Sequence, residues 1–151
     1  FAPRGRPDGP LRARLRLRRP TVLSAGRLVP IKGHARLLHG AALATANGHA
    51  AEVVILGDGP ERERLEQLAR RLGVPLRLPG FVPRTEVADW MRAADLLVVP
   101  SVRLPNGRSE GAPTVLAEAA AIGIPSHATA EPAEIARAIC AIAMPAQPPG
   151  P

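Results

Sequence analysis

Short runs of hydrophobic residues alternate along this chain with longer amphipathic stretches. Three of the runs are rich in aliphatic and β-branched residues and end at Gly or Pro: TVLSAG (21–26), AEVVILG (51–57) and DLLVVP (95–100). The first run is typical of a strand that is buried on both faces of a sheet, and the other two also predict strands. Two shorter segments, PLRLPG (75–80) and IPSHAT (124–129), predict further strands.

The stretches between these runs have apolar residues at helical spacing, and several are bounded by Gly, Pro or Asn. The predicted helices are HARLLHGAALATANG (34–48), GPERERLEQLARRLG (59–73), TEVADWMRAA (85–94), EGAPTVLAEAAAIG (110–123) and EPAEIARAICAIAM (131–144). Thr85 is a candidate cap for the third of them. Strands and helices that alternate in this way predict right-handed βαβ crossovers. We therefore expect an α/β, Rossmann-like, doubly wound and mainly parallel sheet.

The two ends of the chain differ from its middle in composition. Residues 1–20 are rich in Arg, Pro and Gly, and we interpret them as a linker or a short helix. Residues 21–144 are predicted to form the α/β domain, since 151 residues suit one domain. The Pro-rich tail, residues 145–151, cannot continue the last helix.

Charge and aromatic content argue against a nucleic-acid partner. The net charge is +7, but seven Arg and one Asp place +6 of it in the first twenty residues, which leaves +1 for the rest. No uniformly basic face is evident, and with no Tyr, two Phe and one Trp there is little surface for stacking bases.

Cysteine and hydropathy patterns bear on the compartment. The single Cys140 excludes an internal disulfide, and no apolar run reaches the roughly 20 residues that cross a bilayer. The four histidines have no mutual spacing typical of a metal site. We expect a cytoplasmic protein, and contact of its basic first segment with the inner membrane surface is left open.

Ligands of open α/β sheets bind at the carboxyl ends of the strands, so the loops there are the candidate sites. The segment GRLVPIKG (26–33) places Arg27 just after a strand and Lys32 just before a helix. Two such cations can clamp a diphosphate. Alternatively, both are solvated loop cations.

The turn GDGPER (57–62) is the second candidate. Gly57 and Gly59 allow positive φ and a close approach by a ligand. The third glycine of a dinucleotide fingerprint is replaced by Arg62, and Pro60 lacks an amide. A plain tight turn is an equal alternative, and a nicotinamide-type dinucleotide domain is disfavoured.

The segment SEGAPTVLAEAAAIGIP (109–125) is the most specific candidate. Glu110 and Glu118 are eight residues apart, which on a helix puts them on one side with a separation of about 12 Å. Such carboxylates could accept hydrogen bonds from two ends of one hydroxyl-rich ligand. Gly111 allows close approach, and a helix start favours a phosphate. The alternative is one capping and one solvated carboxylate.

In their order, these motifs, together with PGFVPRTEVADWMRAADLLVVPS (79–101), resemble the C-terminal domain of the family-four retaining glycosyltransferases of the GT-B fold. The resemblance covers residues 21–125. It implies that Arg27 and Lys32 bind the donor diphosphate, that Glu110 binds the sugar hydroxyls and that Glu118 binds the ribose hydroxyls. It further implies that Phe81 and Val82 cradle the base and that the backbone of Gly111 and Ala112 approaches the sugar and phosphates. From their positions in the turns after strands, Gly26 and Gly57 are further candidates for binding the donor.

The resemblance implies a bacterial enzyme that transfers a hexose, with retention, from a nucleoside-diphosphate sugar such as a UDP- or GDP-sugar. The acceptor would be a glycan or lipid-linked molecule of cell-surface or exopolysaccharide synthesis, and no metal or other cofactor is expected. In the family an N-terminal domain binds the acceptor. We therefore expect a fragment that binds its donor but lacks transferase activity alone, the alternatives being a non-catalytic nucleotide-binding module or a degenerate fragment. The segment SHATAEPAEIARAI (126–139) departs from the family pattern.

Overall fold

The computed structural model describes residues 7–17, 20–101 and 113–143. Within these ranges the chain forms five strands, six α-helices and a short 3-10 helix at Pro30–Lys32. In chain order the strands and α-helices are α1 (Gly9–Leu15), β1 (Thr21–Ala25), α2 (His34–Ala46), β2 (Glu52–Leu56), α3 (Arg62–Leu72), β3 (Leu76–Gly80), α4 (Arg84–Ala93), β4 (Leu96–Val99), α5 (Pro113–Ile122), β5 (Ser126–Ala128) and α6 (Pro132–Ala143).

The strands form one parallel sheet in the order β3-β2-β1-β4-β5. β1 lies at the centre, where Val22 pairs with Val53 of β2 on one side and with Leu96 of β4 on the other. The strand order reverses between β1 and β4, which is the position where open α/β sheets bind ligands. The predicted Rossmann-like, doubly wound fold is confirmed.

Successive residues of the central strands are buried on opposite faces of the sheet. On one face Val22, Val53 and Leu96 pack with α2, α3 and α6. Their neighbours Leu23, Val54 and Leu97 pack with α1, α4 and α5 on the other face. Burial of each such side chain contributes about 1.5–3 kcal/mol to folding, which explains why these strands have continuous apolar runs.

Part of the segment predicted as a linker or short helix is helical and lies against the domain. The side chain of Asp8 caps α1 by accepting a hydrogen bond from the amide of Leu11, 3.0 Å away. Arg12 donates from Nη1 to the carbonyl of Ala93 at 2.8 Å and lies 3.1 Å from Asp95 Oδ2. Residues 1–6 and 18–19 lie outside the described residues. The domain boundary at residue 20 stays a prediction.

Two predicted helix starts differ from the structure. α4 begins at Arg84 after Pro83, so Thr85 lies inside the helix and does not cap it. α5 begins at Pro113, and residues 110–112 of that predicted helix lie outside the described residues. None of the described helices has the length and apolar composition needed to cross a bilayer.

Candidate functional site

Three loops meet at the carboxyl ends of β1, β2 and β3, and main-chain hydrogen bonds join them. The amides of Gly26, Leu28 and Gly57 donate to the carbonyls of Leu56, Asp58 and Gly80, with donor–acceptor distances of 2.9, 3.0 and 2.9 Å. Because backbone groups make these bonds, the bonds themselves do not depend on which side chains the loops carry. The loops form a fixed rim above the sheet.

Gly57 allows two of these loops to approach each other closely. Its φ is 145°, and a Cβ placed on it would lie only 2.2 Å from the carbonyl oxygen of Gly26. A side chain at position 57 would therefore push the loops after β1 and β2 apart. The glycine is explained by contact between loops of the protein itself.

A cavity of about 510 Å³ opens at this rim. Five residues singled out from the sequence border it: Gly26, Arg27, Gly57, Phe81 and Val82. Asp58 and Val87, to which the sequence analysis gave no role, border it as well. Phe81 is 82% exposed, an unusual position for a large aromatic ring. A concave, largely apolar site with a few charged groups suits a planar organic ligand.

The two predicted cations both lie next to Gly26. Arg27 is exposed and borders the cavity. Lys32 ends the 3-10 helix, and its Cδ would be 3.4 Å from a Cβ placed on Gly26. The stem of Lys32 therefore folds back over Gly26, although Lys32 does not border the cavity.

Gly33 packs the end of this loop against the chain that follows β4. Its φ is 69°, and a Cβ there would lie 1.9 Å from the carbonyl oxygen of Pro100. The loop that carries both cations is thereby held at the switch point between β1 and β4. Only a residue without a side chain permits this approach.

His34 is a buried residue of the site that sequence analysis missed. It is 1% exposed, and its Nε2 lies 3.1 Å from the carbonyl oxygen of Arg27. Burial lowers the pKa of the imidazole below its ordinary value of 6.5, and the charge of Lys32 adds to this effect. The ring is therefore neutral near pH 7, with its proton on Nε2, since a carbonyl can only accept. The one clue in the sequence was its position at the start of a helix beside the loop. In the described ranges, no group of three or more His, Cys, Asp or Glu side chains could hold a metal ion.

Glu118 lies on α5 and contacts α4. Its Oε1 accepts hydrogen bonds from Nη2 and Nε of Arg84, at 3.0 and 3.3 Å. The sequence did not indicate this pair, because 34 positions separate the two residues. Glu118 does not border the cavity described above. The predicted ligands Glu110, Gly111 and Ala112 lie outside the described residues.

Comparison with known proteins gives consistent matches. Residues 11–139 match the family described as glycosyl transferases group 1. The putative colanic acid biosynthesis glycosyltransferase WcaL of Salmonella typhimurium is 34% identical over 110 residues, which cover 72% of this chain and 27% of WcaL. The chain thus spans about a quarter of that relative's length.

Two solved structures resemble the domain. The crystal structure of Anabaena HepE in complex with UDP and glucose has a TM-score of 0.67 and 26% identity, covering 86% of this chain and 40% of HepE. The C-terminal domain of a glycosyl transferase group 1 family protein, LpcC of Francisella tularensis, has a TM-score of 0.66 and 18% identity. That match covers 92% of this chain and 83% of the other.

Proposed function

The chain belongs to the glycosyl transferases group 1 family and has the Rossmann-like fold of one half of a GT-B enzyme, and from this premise we propose that it binds a nucleoside-diphosphate sugar donor. The cavity at the carboxyl ends of the strands carries the proposal. It brings Arg27, two glycines and the exposed Phe81 together at one site.

The nucleotide would lie across this rim. Phe81 and Val82 offer an apolar surface for the base, and Arg27 and Lys32 offer positive charge to the diphosphate. The similar HepE structure contains UDP and glucose, which supports a nucleotide-sugar ligand for this chain. We assign the ribose hydroxyls to the Glu118 carboxylate, a strong acceptor.

The sugar would be held beyond the diphosphate. We assign its hydroxyls to Glu110 and its approach to the backbone of Gly111 and Ala112, on the strength of the motif SEGAPTVLAE that contains them. Pro113 has no amide to contribute.

In the proposed reaction, the bond between the anomeric carbon and the phosphate oxygen breaks and a bond to an acceptor hydroxyl oxygen forms with retention. The acceptor's proton leaves with the diphosphate. Arg27 and Lys32 would stabilise the negative charge that develops on the leaving group, and cations of the protein can do so without a metal. The acceptor would be a glycan or lipid-linked molecule of exopolysaccharide synthesis, as the name of WcaL suggests.

We place acceptor binding on a second domain, for which the remaining length of relatives such as WcaL has room. The 151-residue chain alone would then bind a donor without transferring its sugar. Calorimetric titration with UDP, GDP, UDP-glucose, GDP-mannose and NAD tests the assignment. We expect the chain to bind either UDP and UDP-glucose or GDP and GDP-mannose, and not to bind NAD. Absence of all nucleotide binding would contradict the proposal and indicate a degenerate fragment.

A further inference from the structure

We propose that Arg84 is a positioning residue that holds the Glu118 carboxylate ready for the ribose of the donor. The inference rests on the function proposed above for Glu118. Both guanidinium nitrogens that contact the carboxylate, Nε at 3.3 Å and Nη2 at 3.0 Å, bond to the same oxygen, Oε1. The second oxygen, Oε2, is thereby left to accept from a ligand hydroxyl.

The position of Arg84 in its helix supports an interaction of this kind. Arg84 is the first residue of α4, where the positive end of the helix dipole disfavours a cation. An interaction within α4 therefore does not explain the charge, whereas the contact with Glu118 does. The side chain of Arg84 is 75% exposed and that of Glu118 is 29% exposed.

On α5, Glu118 is flanked in sequence by alanines at positions 117, 119, 120 and 121, which have no side-chain donors. The hydrogen bonds from Arg84 therefore restrict the Glu118 side chain, and we expect it to sample more rotamers without them. Fixing one oxygen reduces the entropy lost when a ligand binds the other.

The ion pair also joins α5 to the wall of the cavity. Phe81 and Val82 border the cavity, and Arg84 follows Val82 by two residues in the same segment. The carboxylate bonded to Arg84 is therefore linked to the segment that carries the surface proposed for the base. In a nucleoside the ribose is bonded directly to its base, so a ribose contact is expected next to the base contact.

The test compares nucleotide affinities of four variants of the full chain by calorimetry, with whichever of UDP and GDP binds more tightly. The variants are Arg84→Gln, Glu118→Gln, the double variant and the control Arg64→Gln. Arg64 is matched to Arg84: it lies in the first turns of α3, its side chain is 81% exposed, and it lies 3.8 Å from a glutamate, Glu61. We expect Arg84→Gln to raise Kd by about three- to tenfold, as a surface ion pair and restored side-chain freedom allow. Arg64→Gln should leave Kd unchanged.

Two further measurements identify how Arg84 acts. In the Glu118→Gln background, Arg84→Gln should weaken binding no further. With the 2′,3′-dideoxy nucleotide, which lacks the hydroxyls, wild type and Arg84→Gln should bind equally. Circular dichroism checks that each variant folds, and Arg84→Lys, which keeps the charge but has a single donor nitrogen, should give an intermediate Kd.

The other outcomes separate the inference from the proposed function. If Glu118→Gln weakens binding but Arg84→Gln does not, the inference is wrong and the proposed ribose contact stands. An equal loss from Arg84→Gln with and without Glu118 would mean that Arg84 contacts the nucleotide itself, which overturns a positioning role. If Glu118→Gln binds as wild type does, the ribose assignment fails and the inference fails with it. Absence of nucleotide binding by the wild type would contradict the proposed function as a whole.

Discussion

The buried imidazole of His34 donates a hydrogen bond from Nε2 to the carbonyl oxygen of Arg27, over 3.1 Å. The bond spans the whole loop between β1 and α2. It fixes the main chain of Arg27 while leaving the guanidinium exposed at the cavity. A ring that is 1% exposed therefore holds the backbone of a residue that we propose binds phosphate.

Replacement of His34 should reveal what this hydrogen bond contributes. In His34→Leu the carbonyl of Arg27 loses its side-chain partner but keeps the hydrogen bond from the amide of Val29, so we expect the free energy of unfolding to fall by about 0.5–1.5 kcal/mol. His34→Gln keeps an N–H donor and should lose less. Urea denaturation of both variants is the measurement. Equal losses would mean that the packing of the ring, and not the bond, is what matters.

Acid should destabilise the protein through the same residue. Burial lowers the pKa of His34 in the folded state below 6.5, its ordinary value, which applies to the unfolded chain. Between these two pKa values the unfolded chain binds a proton that the folded chain does not. Above this pH range, the contribution of His34 to the free energy of unfolding should therefore be constant. The free energy of unfolding should fall as the pH drops through 6.5 towards the lowered pKa.

The unfolding free energy of wild type and His34→Gln, measured at a series of pH values from 8 down to about 5, tests this dependence. The difference between the two proteins cancels the contributions of all other titrating groups. A difference that does not change with pH would contradict the lowered pKa.

Gly33 and Gly73 form a matched pair for testing close packing at the switch point. Both have left-handed backbones, with φ of 69° and 70°. A Cβ on Gly73 meets no atom within 4 Å, whereas one on Gly33 would lie 1.9 Å from the carbonyl oxygen of Pro100. Gly73→Ala should cost about 1–2 kcal/mol from backbone conformation alone.

Gly33→Ala carries the same conformational cost and a steric clash in addition. We expect it to be the more destabilising substitution by at least about 1 kcal/mol, and chemical denaturation of both variants measures the difference. Similar values for the two would show that the loop moves away from Pro100 without penalty.

The two cations of the first motif should both be needed for nucleotide binding. Arg27→Ala and Lys32→Ala each remove charge next to Gly26 and should each weaken binding of the nucleoside diphosphate by about tenfold or more, since hydrogen bonds to charged groups are strong. Binding of the corresponding nucleoside, which lacks phosphates, should be unaffected. Calorimetry with both ligands decides, and a parallel loss for the nucleoside would remove the phosphate assignment.

Phe81 should matter for binding and not for stability. Its ring is 82% exposed, so Phe81→Ser should change the free energy of unfolding by less than about 0.5 kcal/mol. If the ring contacts the base, the variant should bind the nucleotide several-fold more weakly. Unchanged affinity would place the base elsewhere on the rim.

The arrangement of the sheet was predictable because its chemistry is local. Each central strand is buried on both faces, so its sequence is a run of apolar residues, such as that from Val53 to Leu56. In the helices between these runs, apolar residues recur at the helical period. The right-handedness of βαβ crossovers then leaves few possible topologies for the sheet. The same logic placed Gly26, Arg27 and Gly57 at the carboxyl ends of strands.

Contacts between distant segments were not predictable from the sequence. Nothing local indicates that Arg84 meets Glu118, since the sequence placed Arg84 in a loop and Glu118 on a helix 34 positions later. The burial of His34 could not be predicted from the sequence either, because a polar residue at a helix start is ordinarily exposed. The roles of Glu110, Gly111 and Ala112 stay predictions, as do those of the other site residues.

The two parts of the proposed site are synthesised one after the other, because they lie on different segments of the chain. The described residues that border the cavity belong to the ends of β1 and β2, the loops that follow them and the segment from Phe81 to Val87. They therefore emerge from the ribosome before β4, which pairs with β1 through residues 74 positions apart. Local pairings form early, and such distant ones form late. The surface proposed for the base can therefore take shape on a nascent three-stranded sheet, and the half that carries Glu118 docks onto a partly finished site.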